Sequence, residues 1–347
     1  MVTLQDKVIN YLLALIEQSQ HDTPLPSQNE LRQKFDCSTM TVRKALEKLE
    51  ERGLIYRIQG KGCFVRRTGS TATHVRIFLI ISPRVDLQGT FVSSLVEASR
   101  NHSYHTLFYC YDDNEDMLFY EIDRLEPQVV LWLAPSVFKH GKTLQKLLAR
   151  PLHVILFNRE YDHPAVSYVS GDFTADGRAI GKKLLESSAK EVLYVSFDMR
   201  FMFSHLRATG LSEVITDAGG NVTVIDAHKL CTTEHNGPTC RKTEQVLYNA
   251  IVEELQKKQY SAVVGAQGRL WPIISQVCRD SIADSKKLYL GNFNAPESPI
   301  SCDFPVIVIE QPIAEMADEA IQLVARLLKG GDPERILYHS KFNDGQS

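Results

Sequence analysis

The chain has 347 residues, 44% of them hydrophobic and 23% charged, with a net charge of −3. That is too long for one ordinary core and points to two or three domains of a globular protein. Its seven cysteines are odd in number and scattered, with no CxxC, which speaks against a disulfide framework and fits free thiols in a reducing cytoplasm. No run approaches the ~20 apolar residues of a membrane span. Asp6, Lys7 and Glu17 interrupt the apolar periodicity of the first twenty residues, which is unlike a signal peptide.

The charge is unevenly placed. Residues 1 to 70 carry 11 Lys+Arg against 8 Asp+Glu, a balance of +3, and the remainder carries 28 against 34, or −6. A basic front on an acidic body directs a polyanionic partner to the front alone.

The apolar residues Val8, Ile9, Leu12, Leu13, Leu15 and Ile16 recur at helical spacing and predict a first helix from Leu4 to Ile16. The two prolines of "HDTPLPSQ" end it. Ser27 is an N-cap candidate for a second helix, about 28 to 35, that buries Leu31 and Phe35. Ser38 is placed to cap a third, from Thr39 to about Arg52, with Val42, Ala45, Leu46 and Leu49 inward and Gly53 at the C′ position. The outward face then holds Met40, Arg43 and Lys44, flanked by Thr39 and Thr41. A positive helix start, short polar groups and cations are what a helix entering a major groove offers. "LIYRI" and "CFVRR" read as two strands joined by "QGKG", with Lys61 at the tip. Three helices and a hairpin make a winged helix-turn-helix.

Residues 25 to 67, "LPSQNELRQKFDCSTMTVRKALEKLEERGLIYRIQGKGCFVRR", resemble the DNA-binding domain of the GntR family of bacterial repressors. They contain its Leu-Pro-Ser start, Glu-Leu pair, Thr-Val-Arg-x-Ala-Leu helix, Leu-Glu-x-x-Gly-Leu step and Gly-x-Gly-x-Phe-Val wing. The resemblance implies that Arg43 contacts DNA and that Gly60, Lys61 and Gly62 form a wing in the minor groove. It also implies that Ser27 and Asn29 start the second helix within reach of phosphate or base. Many members have an arginine where this chain has Thr39, followed here by Met40, so the helix is expected to read bases with one arginine fewer. With Ser38, Thr41 and Lys44, these residues are the candidate DNA-binding set.

"TGSTAT" is small and polar and marks a linker. The expected domains are therefore residues 1–67 for DNA binding, 68–74 for the linker, and 75–347 for a second body. In that body, runs apolar at every position alternate with helical stretches. "VRIFLIIS", "HTLFYCY", "QVVLWLA" and "HVILFN" come first; "VSYVSGDF", "EVLYVSF", "NVTVID", "SAVVGA" and "KLYLGNF" follow. Such runs suit strands buried on both faces of a parallel sheet. Two successive doubly wound units imply two lobes, with ligand outside the carboxyl ends of the strands.

The body is similar to the effector-binding part of the LacI/GalR repressors, itself like periplasmic binding proteins. The likeness is carried by "VSGDFTADGRAIGKKLLE", "HLRATGLSEVITDAGG", "LYLGNFNAPE" and "VIEQPIAEMADEAIQLVARLLKG". A GntR head joined to such a body is the arrangement of the arabinose repressor subgroup. The resemblance implies Arg207 facing a ligand, Asp172 at the crossover between lobes, and Gln311 on the returning segment. Phe293 holds the customary aspartate position beside Asn294, and Gln267 with Gly268 stands where relatives often have Asn-Asp. One arginine, several amides and an aromatic suit a polyol such as a monosaccharide or its derivative. Ser82, Arg84, Asp86, Ser136, Arg159 and Glu160, at strand ends of the first lobe, complete the expected effector wall.

His228, Cys231, His235 and Cys240 follow no standard zinc-finger spacing, and no metal or cofactor is expected. The chain has no Walker loop, GxSxG elbow or HExxH, so an enzymatic body is disfavoured. The expected function is a cytoplasmic, dimeric, effector-controlled repressor of sugar-utilisation genes. Its expected partners are duplex operator DNA and a small sugar-like molecule, with no membrane.

Overall fold

The computed structural model describes residues 4–19, 23–51, 54–58, 61–65, 76–81, 89–111, 115–135, 141–231, 241–282, 288–294 and 304–343. Two compact units divide the chain, Met1–Thr73 and His74–Ser347.

In the first unit, helices α1 (Leu4–Gln18), α2 (Gln28–Phe35) and α3 (Thr39–Glu51) precede a hairpin of β1 (Ile55–Ile58) and β2 (Gly62–Val65). The hairpin is antiparallel, with Ile55 opposite Val65 and Ile58 opposite Gly62. Val8, Leu12, Leu31, Val42, Ala45, Leu46, Leu49, Ile55 and Val65 form one buried cluster, so each helix faces inward with the stripe its periodicity dictates. Ser27 caps α2 through a reciprocal capping box with Glu30. Ser38 Oγ accepts from the Thr41 N–H at 3.2 Å and opens α3. The prolines do more than stop α1. Leu25 N–H donates to Cys63 O and Val65 N–H to Thr23 O, both at 2.9 Å, so this stretch lies along β2. Gly62, at φ 108°, occupies a conformation that side chains disfavour and lets the wing turn back. The expected C′ glycine, Gly53, and the wing's Gly60 lie outside the described residues, as does the expected linker 68–74.

The second unit holds two six-stranded sheets. Along the chain come β3 (Arg76–Ile81), α4 (Thr90–Asn101), β4 (His105–Cys110), α5 (Glu115–Leu125), β5 (Val129–Leu133), α6 (Gly141–Leu148), β6 (His153–Phe157) and β7 (Val166–Gly171). Next are α7 (Phe173–Glu186), β8 (Glu191–Ser196), α8 (Met202–Asp217), β9 (Asn221–Asp226), α9 (Ala227–Leu230), α10 (Arg241–Lys257) and β10 (Ala262–Gly265). The last are α11 (Trp271–Ser281), β11 (Tyr289–Phe293), β12 (Val306–Glu310), α12 (Ile313–Leu328), β13 (Arg335–Tyr338) and β14 (Lys341–Asn343). The first sheet has the order β13-β7-β6-β5-β3-β4 and the second β14-β12-β11-β10-β8-β9. Among the described residues these strands pair in parallel except β14 on β12. β5 and β10 are buried at every position, as strands covered by helices on both faces must be.

Two features differ from the expectation, the placing of Val166–Gly171 and the two terminal strands. The run Val166–Gly171, read as opening the second alternating unit, pairs in parallel with β6 and belongs to the first sheet. Its connection from β6 has no helix, and the chain crosses to the second sheet only at Asp172. Helix α12 follows a strand of the second sheet and, as the resemblance implied for the returning segment, its face Met316, Ala320, Ile321, Val324 and Leu327 packs with Val92, Leu95 and Leu131 of the first. The terminal strands β13 and β14, too short to announce themselves by periodicity, add one strand to each sheet. The chain thus passes between the sheets three times, after β7, after β12 and after β13.

Candidate functional site

Helix α3 gives the first unit an exposed stripe. Burial of Val42, Ala45, Leu46 and Leu49 turns Met40, Arg43 and Lys44 to the surface. Arg43 Nε donates to Glu47 Oε1 at 2.8 Å, one turn on, and this bond with Arg43 holds the Glu47 carboxyl below the usual range. Ser38 Oγ and Thr41 Oγ1 lie 2.9 Å apart, and Arg32 reaches Thr39 Oγ1 at 3.4 Å. Ser27, Asn29, Lys61 and Gly62 are all exposed. Arg57 on β1 pairs with Glu50 at 2.9 Å, and Tyr56 stacks on Phe64, so the wing is braced against the end of α3. Glu47 is the residue missed in the sequence; its i,i+4 spacing to Arg43 was the available signal.

The carboxyl ends of the two sheets meet at the crossovers. Gln311, directly after β12, donates from Nε2 to Asn158 Oδ1 at 2.9 Å. Its backbone N–H donates to Asn294 Oδ1 at 3.1 Å. Asn158 follows β6 and Asn294 follows β11, and both have positive φ, 55° and 65°, which asparagine tolerates better than most residues. A Cβ on Gly171 would collide with the Gln311 amide, so glycine at the end of β7 makes room for this clasp. Asp172 caps α7 by accepting from the Ala175 N–H at 2.9 Å. His339, after β13, lies 3.9 Å from Asp172.

Arg207 is 2% exposed. Its guanidinium sits 4.4 Å from the Phe293 ring centre, 5.1 Å from that of Phe173 and 5.6 Å from that of Phe203. Nη1 donates to Ala266 O at 2.9 Å and Nη2 lies 3.6 Å from Asp176 Oδ2. Phe293 therefore offers the Arg207 guanidinium a cation–π face. Burial lowers the Arg207 pKa and raises that of Asp176, each opposed by the other's charge. Close approach of α7 and α8 permits this pair: a Cβ on Gly177 would strike the Arg207 carbonyl, and one on Gly210 the Thr174 carbonyl.

Arg159 is also buried, which pushes its pKa down to about 10, and it donates to Asn158 O at 2.6 Å. Burial raises the neighbouring Glu160, helped by the Asp172 charge. Gln267 is half-buried just past β10. At the ends of β8 and β9, Asp198 takes a bidentate contact from Arg200, which also approaches His228 Nδ1 at 3.2 Å. Burial pushes Asp198 up, but the Arg200 bonds outweigh it and hold the carboxyl low.

The strand ends thus bring together Asn158, Arg159, Glu160, Asp172, Gln311 and Asn294 at one place, and Arg207 with Phe293 at another. Ser82, Arg84, Asp86 and Ser136 lie outside the described residues. Asn158, Asp176, Phe173 and Phe203 were missed in the sequence: the crossing of the chain gives Asn158 its partner Gln311, and the packing of α7 on α8 brings Asp176 and Phe173 to Arg207, beside Phe203 of its own helix. Of the zinc-type candidates, His228 is engaged by Arg200, and His235 and Cys240 lie outside the described residues. Among the described residues no cluster of His, Cys, Asp or Glu is placed to hold a metal, and no helix is long and apolar enough to cross a membrane.

Residues 4–65 match the model of the family described as bacterial regulatory proteins, gntR family. The HTH-type transcriptional repressor NagR of Bacillus subtilis is 50% identical over 48 residues, 14% of this chain and 20% of that protein. The arabinose metabolism transcriptional repressor of Geobacillus stearothermophilus is 36% identical over 64 residues, 18% of this chain and 17% of that protein. These matches span about a fifth of the curated relatives. A LacI transcriptional regulator from a Rhodococcus species superimposes with a TM-score of 0.62 at 16% identity, over 77% of this chain and 96% of that one. The myo-inositol binding protein of Caulobacter, bound to myo-inositol, does so with a TM-score of 0.64 at 14% identity, over 80% and 96%. The front of the chain is a GntR-type helix-turn-helix, and its two-sheet unit has the fold shared by LacI-type regulators and periplasmic binding proteins.

Proposed function

We propose that the chain is a transcriptional regulator, acting as a repressor, whose winged helix-turn-helix (residues 1–67) binds operator DNA. A linker (68–74) joins it to an effector-binding body (75–347). The observation that carries the reading is the exposed stripe of α3, with Arg43 and Lys44 held outward by a fully buried opposite face, inside a segment that matches a DNA-binding family. Cations on a helix that protrudes from its domain meet phosphates and base edges in a major groove. Lys61 at the wing tip adds a further contact.

The body would take a monosaccharide or sugar derivative where the strand ends of the two sheets meet. Support comes from the buried cation Arg159, the amides Gln267, Asn294 and Gln311, the carboxyls Glu160 and Asp172, and the sugar-like ligand named for one neighbour of the same fold. Such side chains supply the planar donors and acceptors that hydroxyls need. Arg207 would act there by holding Phe293 and the strand ends in place. Effector would shift DNA affinity only through unequal affinity for two arrangements of the body. A dimer, acting in the cytoplasm, would place two heads on a two-fold operator.

The test has two arms on the full chain. A duplex recovered by selection from random sequence should bind at nanomolar concentration, and Arg43→Ala should weaken it at least tenfold. Thermal-shift screening with monosaccharides and their phosphates should give a hit that Gln267→Ala reduces and Arg43→Ala leaves intact. Selection that recovers no preferred sequence would reject the regulator, and a ligand shift abolished by Arg43→Ala would reject the division of labour.

A further inference from the structure

The outward stripe of α3 runs Met40, Arg43, Lys44, Glu47, at i, i+3, i+4 and i+7. Its polar groups near the N-terminal end are largely engaged within the protein. Ser38 and Thr41 hydroxyls are 2.9 Å apart, Thr39 Oγ1 accepts from Arg32, and Arg43 Nε is held by Glu47. Met40 is different. It is 57% exposed, more than Leu4 at 47% or Ile58 at 38%, the other exposed large apolar side chains of this unit among the described residues. None of the buried cluster of the unit includes it.

An unbranched thioether standing in water at the start of a cationic helix gains nothing in the free protein, and it is a poor hydrogen-bonding partner. Resting on the reading that α3 enters the major groove, we infer that Met40 is a specificity residue that packs on the 5-methyl group of a thymine. Of the features a base pair presents in that groove, the thymine methyl is the apolar one; the rest are donors and acceptors, and phosphates offer no apolar surface. Arg43, one turn further along the same stripe, reaches the neighbouring base or phosphate, so the pair reads a methyl beside a polar contact.

The experiment uses the full chain and an operator recovered by selection. Each thymine is replaced in turn by uracil, which deletes the methyl and leaves every hydrogen-bonding group in place. One thymine in each half-site should become sensitive, with a loss of about fourfold per methyl, the equivalent of one buried carbon. Met40→Ala should lose a similar factor on the thymine operator and show no further loss on the uracil one. Insensitivity to every thymine-to-uracil change, with binding otherwise intact, would overturn the contact and leave DNA recognition standing. Equal sensitivity in wild type and Met40→Ala would also overturn it, since another side chain would then read the methyl. If selection yields no preferred duplex, DNA recognition falls, and this contact falls with it.

Discussion

Gln311 Nε2 and Asn158 Oδ1 are joined by a 2.9 Å hydrogen bond between residues 153 positions apart, one directly after a strand of the second sheet and the other directly after a strand of the first. Asn294, from a third segment, bonds the same glutamine, so a single side chain and its backbone hold three strand ends together. Replacing Gln311 by alanine leaves the two asparagine amides short of partners in a buried place. The expected cost is about 1–3 kcal/mol, read as a fall of several degrees in the thermal midpoint of the body. Gly171→Ala, which displaces the same amide, should cost a similar amount, and the two changes together less than their sum, because each breaks one clasp.

Arg207 and Asp176 form a buried ion pair walled by aromatic rings. Arg207→Ala should destabilise the protein by about 3–5 kcal/mol in urea denaturation, because it strands the Asp176 carboxylate away from water. Arg207→Met combined with Asp176→Leu should recover more than half of that loss, since the site is then apolar and filled. A double variant as unstable as the single one would mean that the guanidinium is needed for something other than neutralising Asp176.

Glu160 is held above the usual carboxylate range, first by burial and then by Asp172. Its folded pKa therefore exceeds its unfolded one, and ionising it opposes folding. That penalty is absent at acid pH and sets in as pH rises through the folded pKa. Glu160→Gln should accordingly raise the thermal midpoint at pH 7 to 8 by about 2 °C, with the gain shrinking toward pH 4. A gain that is constant across this range would assign the effect to packing.

Lys61 is exposed at the wing tip, and Glu47 engages Arg43 Nε in a surface ion pair. Lys61→Ala should reduce the slope of log K against log salt by about 1, the signature of one lost phosphate contact, and weaken all duplexes alike. Glu47→Gln should raise affinity for non-operator DNA by about two- to fivefold, because it removes a negative charge facing phosphate and frees Arg43. Both are read from fluorescence-anisotropy titrations at several salt concentrations.

The amino-acid sequence by itself determined the helices of the first unit, the wing, the basic α3 stripe and the alternation of buried strands with helices. Each of these rests on local chemistry: 3.6-residue periodicity around Leu46, caps at Ser27 and Ser38, prolines after Gln20, and runs such as Val129–Leu133 with no polar side. It took the folded chain to show that Val166–Gly171 joins the first sheet, that β13 and β14 add a strand to each sheet, and that Asn158 meets Gln311. The folded chain also shows that Arg207, readable as a cation aimed at ligand, is enclosed by Phe173, Phe203 and Phe293. The reason is the same in each case. Strand partnership, crossing and enclosure depend on groups far apart in the chain whose pairing leaves no periodic trace in either segment, and a buried polar side chain shows its role only through the partner that compensates its loss of water.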